Sequence, residues 1–311
     1  MNAQKTYAGP WRVGVDIGGT KIEAALVSPA GEIVASERVP ARPGNEAVLD
    51  DVTALVRSVA GHLGDPKSSI AAVGVGTPGQ VDSATGRIAH VVNLGIEELE
   101  LGALAGERLG VPVHVENDVN AAAVGAARAL CGNDTSGTIV CLNFGTGLAA
   151  GVVTDGRVVH GFSGAAGEIG HVPVDPNRFP CPCGQRGCLE TVCSGASVAR
   201  LWPRTIDGRP PMPDLIDRAR AGEFAAQRVL AMVMHAIADA LQMIGQAYDP
   251  RMIVLGGGMA KTGDPFVQVI REELREREAD CPFLAGLKLG ERLRLAPVDI
   301  NLGALGAALC A

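Results

Sequence analysis

Aromatic residues, basic clusters and long apolar runs are all scarce in this sequence, and each shortage argues against a class of partner. Phe, Trp and Tyr make up only 3% of the 311 residues, so platforms on which nucleic-acid bases could stack are few. The formal net charge is −7 and no basic cluster is present, which argues against nucleic acid and anionic membranes. No apolar run approaches the roughly 18–20 residues that a membrane span needs. We therefore expect neither a nucleic-acid partner nor a membrane partner.

The first residues, MNAQKTYAGP, also lack the pattern of a secretory signal peptide. We expect a cytoplasmic protein, because nothing in the sequence directs the chain to an oxidising compartment. Five of the eight cysteines are scattered along the chain, and the other three lie within positions 181–188. The scattered cysteines have no metal-ligand spacing and are Cys131, Cys141, Cys193, Cys281 and Cys310.

The most informative stretch, residues 167–190, reads GEIGHVPVDPNRFPCPCGQRGCLE. Thiolates and one imidazole suit Zn²⁺, which prefers four soft or borderline ligands in a tetrahedron. Four protein ligands would close the site, so the zinc would be structural and carry no reactive water. Gly184 and Gly187 allow the tight turn that brings the flanking cysteines to one ion. The predicted ligands are His171, Cys181, Cys183 and Cys188.

Two other interpretations of the cysteines stay open: a disulfide, or buried thiols that pack as small hydrophobic groups. Under any disulfide scheme, three cysteines leave one unpaired. Two carboxylates flank the metal residues, since Glu168 precedes His171 by three positions and Glu190 closely follows Cys188. A metal that fixes this loop also fixes two carboxylates and one imidazole edge. Such a group can accept hydrogen bonds from several hydroxyls, as a sugar site requires.

Near the N-terminus, an apolar run enters DIGGTK, residues 16–21, and a second strand-like run follows. This order is strand, glycine turn, strand, whereas the glycines of a dinucleotide-binding loop lead into a helix. Gly18, Gly19 and Thr20 form the first Gly-Thr turn, which offers backbone N–H groups and a hydroxyl to a phosphate. Asp16 at the strand end could hold Mg²⁺ through water. The alternative is an ordinary Gly-Gly hairpin.

A second stretch repeats this arrangement. Residues 13–34 and residues 140–159 each read as a strand, a Gly/Thr turn, a strand, a polar glycine turn and a third strand. Asn143 falls at the position of Asp16, and the second Gly-Thr turn spans residues 145–147. An internal repeat indicates duplicated domains that each begin with a β-meander. Two phosphate-facing turns, one in each domain, would clamp a nucleotide in the cleft between them.

Two junctions in the chain allow both a structural and a functional interpretation. Asp118 follows a strand predicted over 111–115 and precedes a helix, so it suits an N-cap. The same position is where ligands gather in open α/β sheets. The glycines at 256–258 follow a strand and could either form a plain tight turn or allow close approach of a flat ligand such as adenine.

Apolar residues recur at helical spacing in several other segments, whose core positions carry no functional prediction. This spacing predicts helices over residues 46–63 and 223–248. Helices are also predicted over 102–109 and 265–277, and residues 301–309 are predicted to form a small-residue helix that packs tightly and could seal the hinge.

The ordered set of motifs resembles the ROK family of sugar kinases, most nearly its bacterial ATP-dependent glucokinases. The resemblance covers nearly the whole chain, and the set is far more specific than any single motif except the cysteine cluster. The motifs are DIGGTK (16–21), TPG (77–79), END (116–118), FGTG (144–147), GEIGH (167–171), CPCGQRGCLE (181–190) and LGGG (255–258).

The resemblance implies an actin-like, ribonuclease-H-like α/β fold, duplicated in two domains around an interdomain cleft. The small domain would span residues 1–122 and be completed by a C-terminal helix at about 298–311. The large domain, residues 123–297, would carry the zinc loop. Family repressors add a helix-turn-helix module before DIGGT, and the fifteen residues before Asp16 are too few for that module. Family members are commonly dimers or tetramers, so we expect a homodimer or homotetramer.

The resemblance also implies a reaction: transfer of the ATP γ-phosphoryl group to the 6-hydroxyl of glucose, giving glucose 6-phosphate, with Mg²⁺ bound at the phosphates. Asp118 matches the catalytic base. The sugar ligands match Gly79, Asn93, Asn117, Asp118, Glu168, His171 and Glu190. The nucleotide loops match Asp16, Gly18, Gly19, Thr20, Lys21, Gly145, Thr146, Gly147, Gly257 and Gly258. The structural Zn²⁺ ligands match His171, Cys181, Cys183 and Cys188.

Three departures from the family pattern bear on this expectation. Ala149 and Ala150 replace glycines after the second Gly-Thr turn, Cys193 replaces a smaller residue, and no Trp follows the Asn93–Leu94 pair. The last departure touches the sugar side. N-Acetylmannosamine, N-acetylglucosamine, mannose, fructose or a cyclitol therefore stay open as acceptors. A non-catalytic sugar sensor is the alternative from another functional class.

Overall fold

The computed structural model describes residues 9–63, 69–203, 205 and 208–311. In chain order, the strands are β1 (Trp11–Ile17), β2 (Lys21–Val27), β3 (Ile33–Pro40), β4 (Ile70–Thr77), β5 (Gln80–Asp82), β6 (Arg87–Val91), β7 (Ile96–Leu99), β8 (Val113–Asn117), β9 (Thr138–Phe144), β10 (Leu148–Thr154), β11 (Arg157–Val158), β12 (Met252–Gly256) and β13 (Leu293–Leu295).

The helices, also in chain order, are α1 (Asn45–Ala60), α2 (Leu101–Leu109), α3 (Asp118–Cys131), α4 (Glu190–Cys193), α5 (Gly195–Leu201), α6 (Pro211–Arg220), α7 (Phe224–Tyr248), α8 (Gly257–Ala260), α9 (Asp264–Ala279), α10 (Pro282–Leu287), α11 (Leu289–Arg292) and α12 (Leu302–Cys310). Two 3₁₀ turns cover Val92–Leu94 and Ile169–His171.

The chain divides into two compact units. Unit 1 contains the chain up to Thr135, the short segment Gly156–Val158 and the C-terminal segment Asp299–Ala311. Unit 2 contains Ser136–Asp155 and Val159–Val298. The division falls after α3, whereas the sequence prediction placed a boundary at residue 122, inside that helix.

The sheet of unit 1 has the strand order β3-β2-β1-β4-β8. β1 pairs antiparallel with β2 and parallel with β4, and β4 pairs parallel with β8. Apolar side chains of β1, β2 and α1 form the buried core of this unit. Since β1, β4 and β8 are parallel neighbours, their carboxyl ends meet at one edge of the sheet.

In unit 2, β10, β9, β12 and β13 lie side by side in that order. β9 pairs antiparallel with β10 and parallel with β12, and β12 pairs parallel with β13. The pairing of β9 therefore reproduces the pairing of β1 in unit 1. This correspondence confirms the α/β class and the internal duplication that the repeated sequence pattern predicted.

The predicted helices form with small shifts at their ends. The helix predicted over 46–63 spans Asn45–Ala60, and the one predicted over 223–248 spans Phe224–Tyr248. The short strand predicted over 111–115 lies two residues later, at Val113–Asn117. α7 buries its apolar stripe in the core of unit 2, which is why its helical periodicity is so clear.

α7 is also long and apolar enough, by length and composition alone, to qualify as a candidate membrane span. Half of the qualifying window is buried inside the fold. The core helix of a soluble protein meets the same criterion, and α7 carries Arg228 and Asp239 along its length. Polar residues interrupt the apolar sequence of α7, so the helix contains no continuous apolar run of the length that a membrane span needs.

Helix α12 packs backbone against backbone on the rest of unit 1. A Cβ atom at Gly14 in β1 would lie 1.8 Å from the carbonyl oxygen of Ala304 in α12. A Cβ atom at Gly306 in α12 would lie 1.7 Å from the carbonyl oxygen of Ala121 in α3. Glycine at such positions is required by space, because the neighbouring atoms belong to the main chain. The predicted tight packing of this small-residue helix is thus confirmed.

Replacing Gly306 tests whether this close packing sustains unit 1. Alanine normally stabilises a helix interior relative to glycine by roughly 0.5–1 kcal/mol. We expect Gly306→Ala instead to lower the free energy of unfolding by about 2 kcal/mol or more, because overpacking displaces main-chain atoms. Gly286→Ala is the matched control, since Gly286 lies in α10 with nothing within 4 Å of its Cβ position. Equal urea midpoints for the two variants would contradict this account.

Candidate functional site

The carboxyl ends of the parallel strands in unit 1 bring several predicted site residues to one edge. Asp16 in β1 pairs with Gly76 in β4, and Thr77 in β4 pairs with Asn117 in β8. A Cβ atom at Gly76 would lie 3.8 Å from the Cα atom of Asp118. This edge is the usual position for ligands in open α/β sheets.

Asn117, and not Asp118, caps helix α3. The Asn117 side-chain oxygen accepts hydrogen bonds from the backbone N–H groups of Val119 and Asn120, at 2.9 and 3.3 Å. Asp118 is the first helical residue, and its Oδ1 accepts the Val119 N–H at 3.0 Å. Asp118 is partly exposed. Because the cap is supplied by its neighbour, the capping interpretation of Asp118 is wrong.

Glu116 is a supporting residue that the sequence reasoning missed. Its side chain is only 3% exposed, and its Oε1 accepts the backbone N–H of Asn117 at 2.9 Å and the side-chain amide of Asn120 at 3.0 Å. Its Oε2 lies 3.8 Å from the His114 Nε2. Glu116 thereby fixes the strand-to-helix junction that presents Asp118. The available signal was an acidic residue at the end of a buried strand, directly before Asn-Asp.

Asn301 is a second residue that was missed, and it connects Asp16 with helix α12. The Asn301 Oδ1 caps α12 by accepting the Ala304 N–H at 3.0 Å. Burial raises the pKa of Asp16, and a hydrogen bond from the Asn301 side chain acts in the opposite direction. A Cβ atom at Gly303 would lie 2.7 Å from the Asp16 carboxyl carbon. Asp16 is therefore held against the first turn of α12, where a carboxylate is favoured.

The first Gly-Thr turn joins β1 to β2 as a tight hairpin. The Gly18 N–H donates to the Lys21 carbonyl at 2.9 Å, while the Lys21 ammonium lies 3.3 Å from the Glu23 carboxylate. A Cβ atom at Gly19 would lie 3.1 Å from the Asn93 Nδ2. The structure thus brings Asn93 against this turn.

Gly79 occupies the turn between β4 and β5 with a φ of 90°. A side chain there would be strained in backbone conformation and would also come within 2.7 Å of the Ala89 carbonyl oxygen. Glycine at this position is therefore explained by the turn itself.

In unit 2, three other segments of the chain contact the second Gly-Thr turn or the residues that flank it. The Gly195 N–H donates to the Gly145 carbonyl at 2.8 Å. Gly257 follows β12 with a φ of 82°, and its Cβ position is 2.5 Å from the Phe144 carbonyl oxygen. The Glu190 Oε2 accepts the Leu148 N–H at 3.1 Å. The turn, the glycines after β12 and Glu190 consequently form one cluster.

Four potential metal ligands of unit 2 meet at one point, and they are the four predicted from the sequence. One donor atom from each residue lies within 4.8 Å of the other three. A tetrahedral zinc with bonds to sulfur of about 2.3 Å needs sulfur atoms about 3.8 Å apart. The Sγ atoms of Cys183 and Cys188 are 3.7 Å apart, and the Cys181 Sγ is 3.7 Å from the His171 Nδ1. The donor set fits a structural zinc.

The disulfide interpretation does not agree with this geometry. All three cysteines of the cluster are free thiols, and 3.7 Å between sulfur atoms far exceeds the bond length of about 2.05 Å. A backbone hydrogen bond from Gln185 is the main cause that lowers the pKa of Cys183 to about 6. Burial raises the pKa of Cys188 to about 12. Gly184 and Gly187 have φ values of 93° and 85°, as the predicted turn requires.

The imidazole of His171 faces two groups at once. Its Nδ1 faces the sulfur atoms, and its Nε2 lies 3.9 Å from the Glu168 Oε2. The Glu168 side chain is 53% exposed, so its carboxylate is open to a ligand. The backbone of this segment is anchored to β10, because the Ala150 N–H donates to the Gly167 carbonyl at 2.8 Å.

The predicted sugar residues divide between the two units. In unit 2, His171 belongs to the metal cluster itself, and the carboxylates of Glu168 and Glu190 lie 3.9 and 3.8 Å from atoms of His171 and Cys181. Those of unit 1 are Gly79, Asn93, Asn117 and Asp118. Of the residues that depart from the family pattern, Cys193 is fully buried and donates to the Leu189 carbonyl at 3.2 Å.

Comparison with known proteins identifies the family. The family model described as the ROK family matches residues 12–311. A glucokinase of Halalkalibacterium halodurans is 32% identical over 314 residues, covering 95% of this chain and 93% of that protein. An N-acetyl-D-glucosamine kinase of Vibrio cholerae is 32% identical over 301 residues, covering 89% of this chain and 95% of that protein.

Among solved structures, a ROK family glucokinase from Streptomyces griseus in complex with glucose and AMPPNP superimposes with a TM-score of 0.74. It is 28% identical and the match covers 97% of this chain and 99% of the other. These findings confirm the predicted resemblance and its actin-like fold class. The chain therefore belongs to the ROK family, as one of its ATP-dependent sugar kinases.

Proposed function

We propose that this sugar kinase is a glucokinase, which transfers the ATP γ-phosphoryl group to the 6-hydroxyl of glucose and releases glucose 6-phosphate. The observation that carries the proposal is the group of hydrogen-bond acceptors around the metal cluster. The His171 Nε2 lies 3.9 Å from the Glu168 carboxylate, and the Cys181 Sγ lies 3.8 Å from the Glu190 Oε1. Two carboxylates and an imidazole suit several vicinal hydroxyls. The glucokinase relative, 32% identical over most of the chain, supports glucose as the sugar.

Asp118 is the proposed base. It accepts the proton of the 6-hydroxyl while that oxygen attacks the γ-phosphorus in line, and ADP leaves with the electron pair of the broken P–O bond. A positioned base contributes roughly 10²–10⁴-fold to the rate. Asn117 orients the sugar beside it, and its capping bonds to α3 restrict its own rotamers. Gly79 and Asn93 are proposed as further sugar contacts.

The two Gly-Thr turns are the proposed phosphate-binding elements, together with Lys21 and the glycines 257 and 258 after β12. The AMPPNP-bound S. griseus glucokinase supports a nucleotide site of this kind. Asp16, held by Asn301, would hold Mg²⁺ through water. When bound, that cation neutralises phosphate charge as the bond to the leaving group breaks.

The four residues of the metal cluster are proposed to hold a structural Zn²⁺. The ion would have a structural role and fix the conformation of the loop, because four protein ligands leave no coordination position for water or substrate. With Nδ1 on the metal side, the His171 Nε2 remains available to a sugar hydroxyl. The eight cysteines are free thiols, which supports a reducing, cytoplasmic location.

Another acceptor is a second candidate, since the V. cholerae N-acetyl-D-glucosamine kinase is also 32% identical to this chain. The missing Trp after the Asn93–Leu94 pair lies on the sugar side and removes one reason to prefer glucose. The chemistry at Asp118 is the same for both acceptors.

A panel of sugars in an ADP-coupled assay tests the proposal. We expect the highest kcat/KM with glucose, at least about tenfold above N-acetylglucosamine, N-acetylmannosamine, mannose and fructose, since a mismatched hydroxyl costs more than 1 kcal/mol. The product should be glucose 6-phosphate, identified by its oxidation with glucose-6-phosphate dehydrogenase. A higher kcat/KM for an N-acetylated sugar would transfer the assignment to that acceptor.

The role of Asp118 is tested by Asp118→Asn. We expect kcat to fall by about 10²–10⁴-fold, while the Kd for glucose changes only a few-fold, because the amide keeps an acceptor oxygen at the same place. Asp264→Asn is the matched control, since Asp264 is the first residue of α9 as Asp118 is of α3. A kcat of Asp118→Asn equal to that of Asp264→Asn would remove Asp118 from the mechanism.

A further inference from the structure

Glu190 contacts two parts of unit 2 for which different functions are proposed. Its main chain follows the metal loop closely: the Thr191 N–H donates to the Cys188 carbonyl at 3.0 Å. The Ser197 hydroxyl donates to the Glu190 carbonyl at 2.5 Å. The position of Glu190 is therefore set by the metal loop on one side and by helix α5 on the other.

The side chain of Glu190 also contacts the second Gly-Thr turn. Its Oε2 accepts the N–H of Leu148, the residue directly after that turn, at 3.1 Å. An N–H donated to a carboxylate is among the stronger hydrogen bonds in proteins. The carboxylate thus holds the turn at the end where β10 begins.

Gly147 leaves the space that this carboxylate fills. A Cβ atom at Gly147 would lie 2.3 Å from the Glu190 Oε2, which is closer than atoms approach without displacement. The φ of Gly147 lies outside the left-handed region that favours glycine. The absence of a side chain at 147 is therefore explained by Glu190, and the backbone conformation does not require it.

The other carboxylate oxygen faces the metal loop. The Cys181 Sγ lies 3.8 Å from the Glu190 Oε1. A carboxylate can accept about four hydrogen bonds over its two oxygens, so one oxygen can receive a sugar hydroxyl while the other keeps the turn N–H. This step rests on the proposed function, in which Glu190 binds the sugar.

We propose that Glu190 is a positioning residue that couples the sugar site to the phosphate-binding turn. A sugar hydroxyl on Oε1 restricts the carboxylate, and the restricted Oε2 fixes the turn in the form that receives phosphate. Coupling of this kind is reciprocal, so the nucleotide strengthens sugar binding by the same factor. Sugar binding would thereby order the turn for ATP, so that the sugar hydroxyl, and not a water molecule, is the acceptor of the phosphoryl group.

Gly147→Ala and Gly286→Ala test this coupling as the same change made inside and outside the turn. Gly286 lies in α10 with nothing within 4 Å of its Cβ position, so only the change at 147 displaces the Glu190 carboxylate. The probe is glucose, titrated calorimetrically into the zinc-loaded protein without nucleotide. We expect its Kd to rise by at least about tenfold in Gly147→Ala and to stay within about twofold of wild type in Gly286→Ala.

The reciprocal measurement is the Kd for AMPPNP with and without saturating glucose. We expect glucose to tighten AMPPNP binding in the wild type by about 5-fold or more, and the factor to fall to about one in Gly147→Ala and in Glu190→Gln. Zinc content and melting temperature, equal across the variants, separate this result from loss of the fold.

The outcomes distinguish the two proposals. If glucose binds the wild type and binds Gly147→Ala as tightly as Gly286→Ala, the glucokinase proposal stands and the coupling through Glu190 is overturned. If the wild type binds no sugar of the panel, the proposed function fails and the coupling fails with it. A wild-type AMPPNP affinity that glucose leaves unchanged also overturns the coupling.

Discussion

The meeting of one imidazole and three thiols in unit 2 is the constraint on which the candidate site depends. Residues 167–190 contain little regular structure, a 3₁₀ turn at Ile169–His171 and one isolated bridge between Pro180 and Arg186. The backbone hydrogen bonds of this segment belong to turns and loop contacts and not to a helix or a sheet, so the proposed metal would add the cross-links that regular secondary structure supplies elsewhere. The carboxylates of Glu168 and Glu190 take their positions from this loop.

In unit 1, close packing of the main chain holds the site residues in position. The ligand edge of this unit is fixed by main-chain contacts that only glycine permits, as at Gly14 in β1 against α12 and at Gly306 in α12 against α3. Buried polar groups then orient the functional side chains: Glu116 holds the junction before Asp118, and Asn301 holds Asp16. Four strands of each unit pair in corresponding order, but unit 1 holds its site residues by packing, whereas unit 2 carries them on the loop with the four potential metal ligands. In both, a conformationally restricted backbone presents side chains that are only partly buried.

Much of this arrangement could be predicted from the sequence, because its signals are local. The repeated strand and turn pattern indicated two similar sheets, and the spacing of the cysteines indicated one metal set. The cap at Asn117 and the roles of Glu116 and Asn301 could not be predicted. The cap depends on which of two neighbouring side chains accepts the hydrogen bonds of the same backbone N–H groups. The role of Asn301 depends on a contact between residues far apart in sequence, Asp16 and Asn301. Neither can be deduced from the spacing of residues in the sequence.

The reason for glycine at 147 also lay beyond the sequence. In a Gly-Thr turn, a glycine suggests space for a phosphate, and the structure instead fills that space with the Glu190 carboxylate. Motif matching identifies such a residue without identifying what it makes room for. Only the distance between two residues more than forty positions apart distinguishes the two explanations.

X-ray absorption at the zinc edge of the purified wild-type protein tests the central claim most directly. We expect about one zinc per chain, with three sulfur neighbours at about 2.3 Å and one nitrogen neighbour at about 2.0–2.1 Å. A protein purified without zinc, or a zinc whose neighbours are only nitrogen and oxygen, would contradict it.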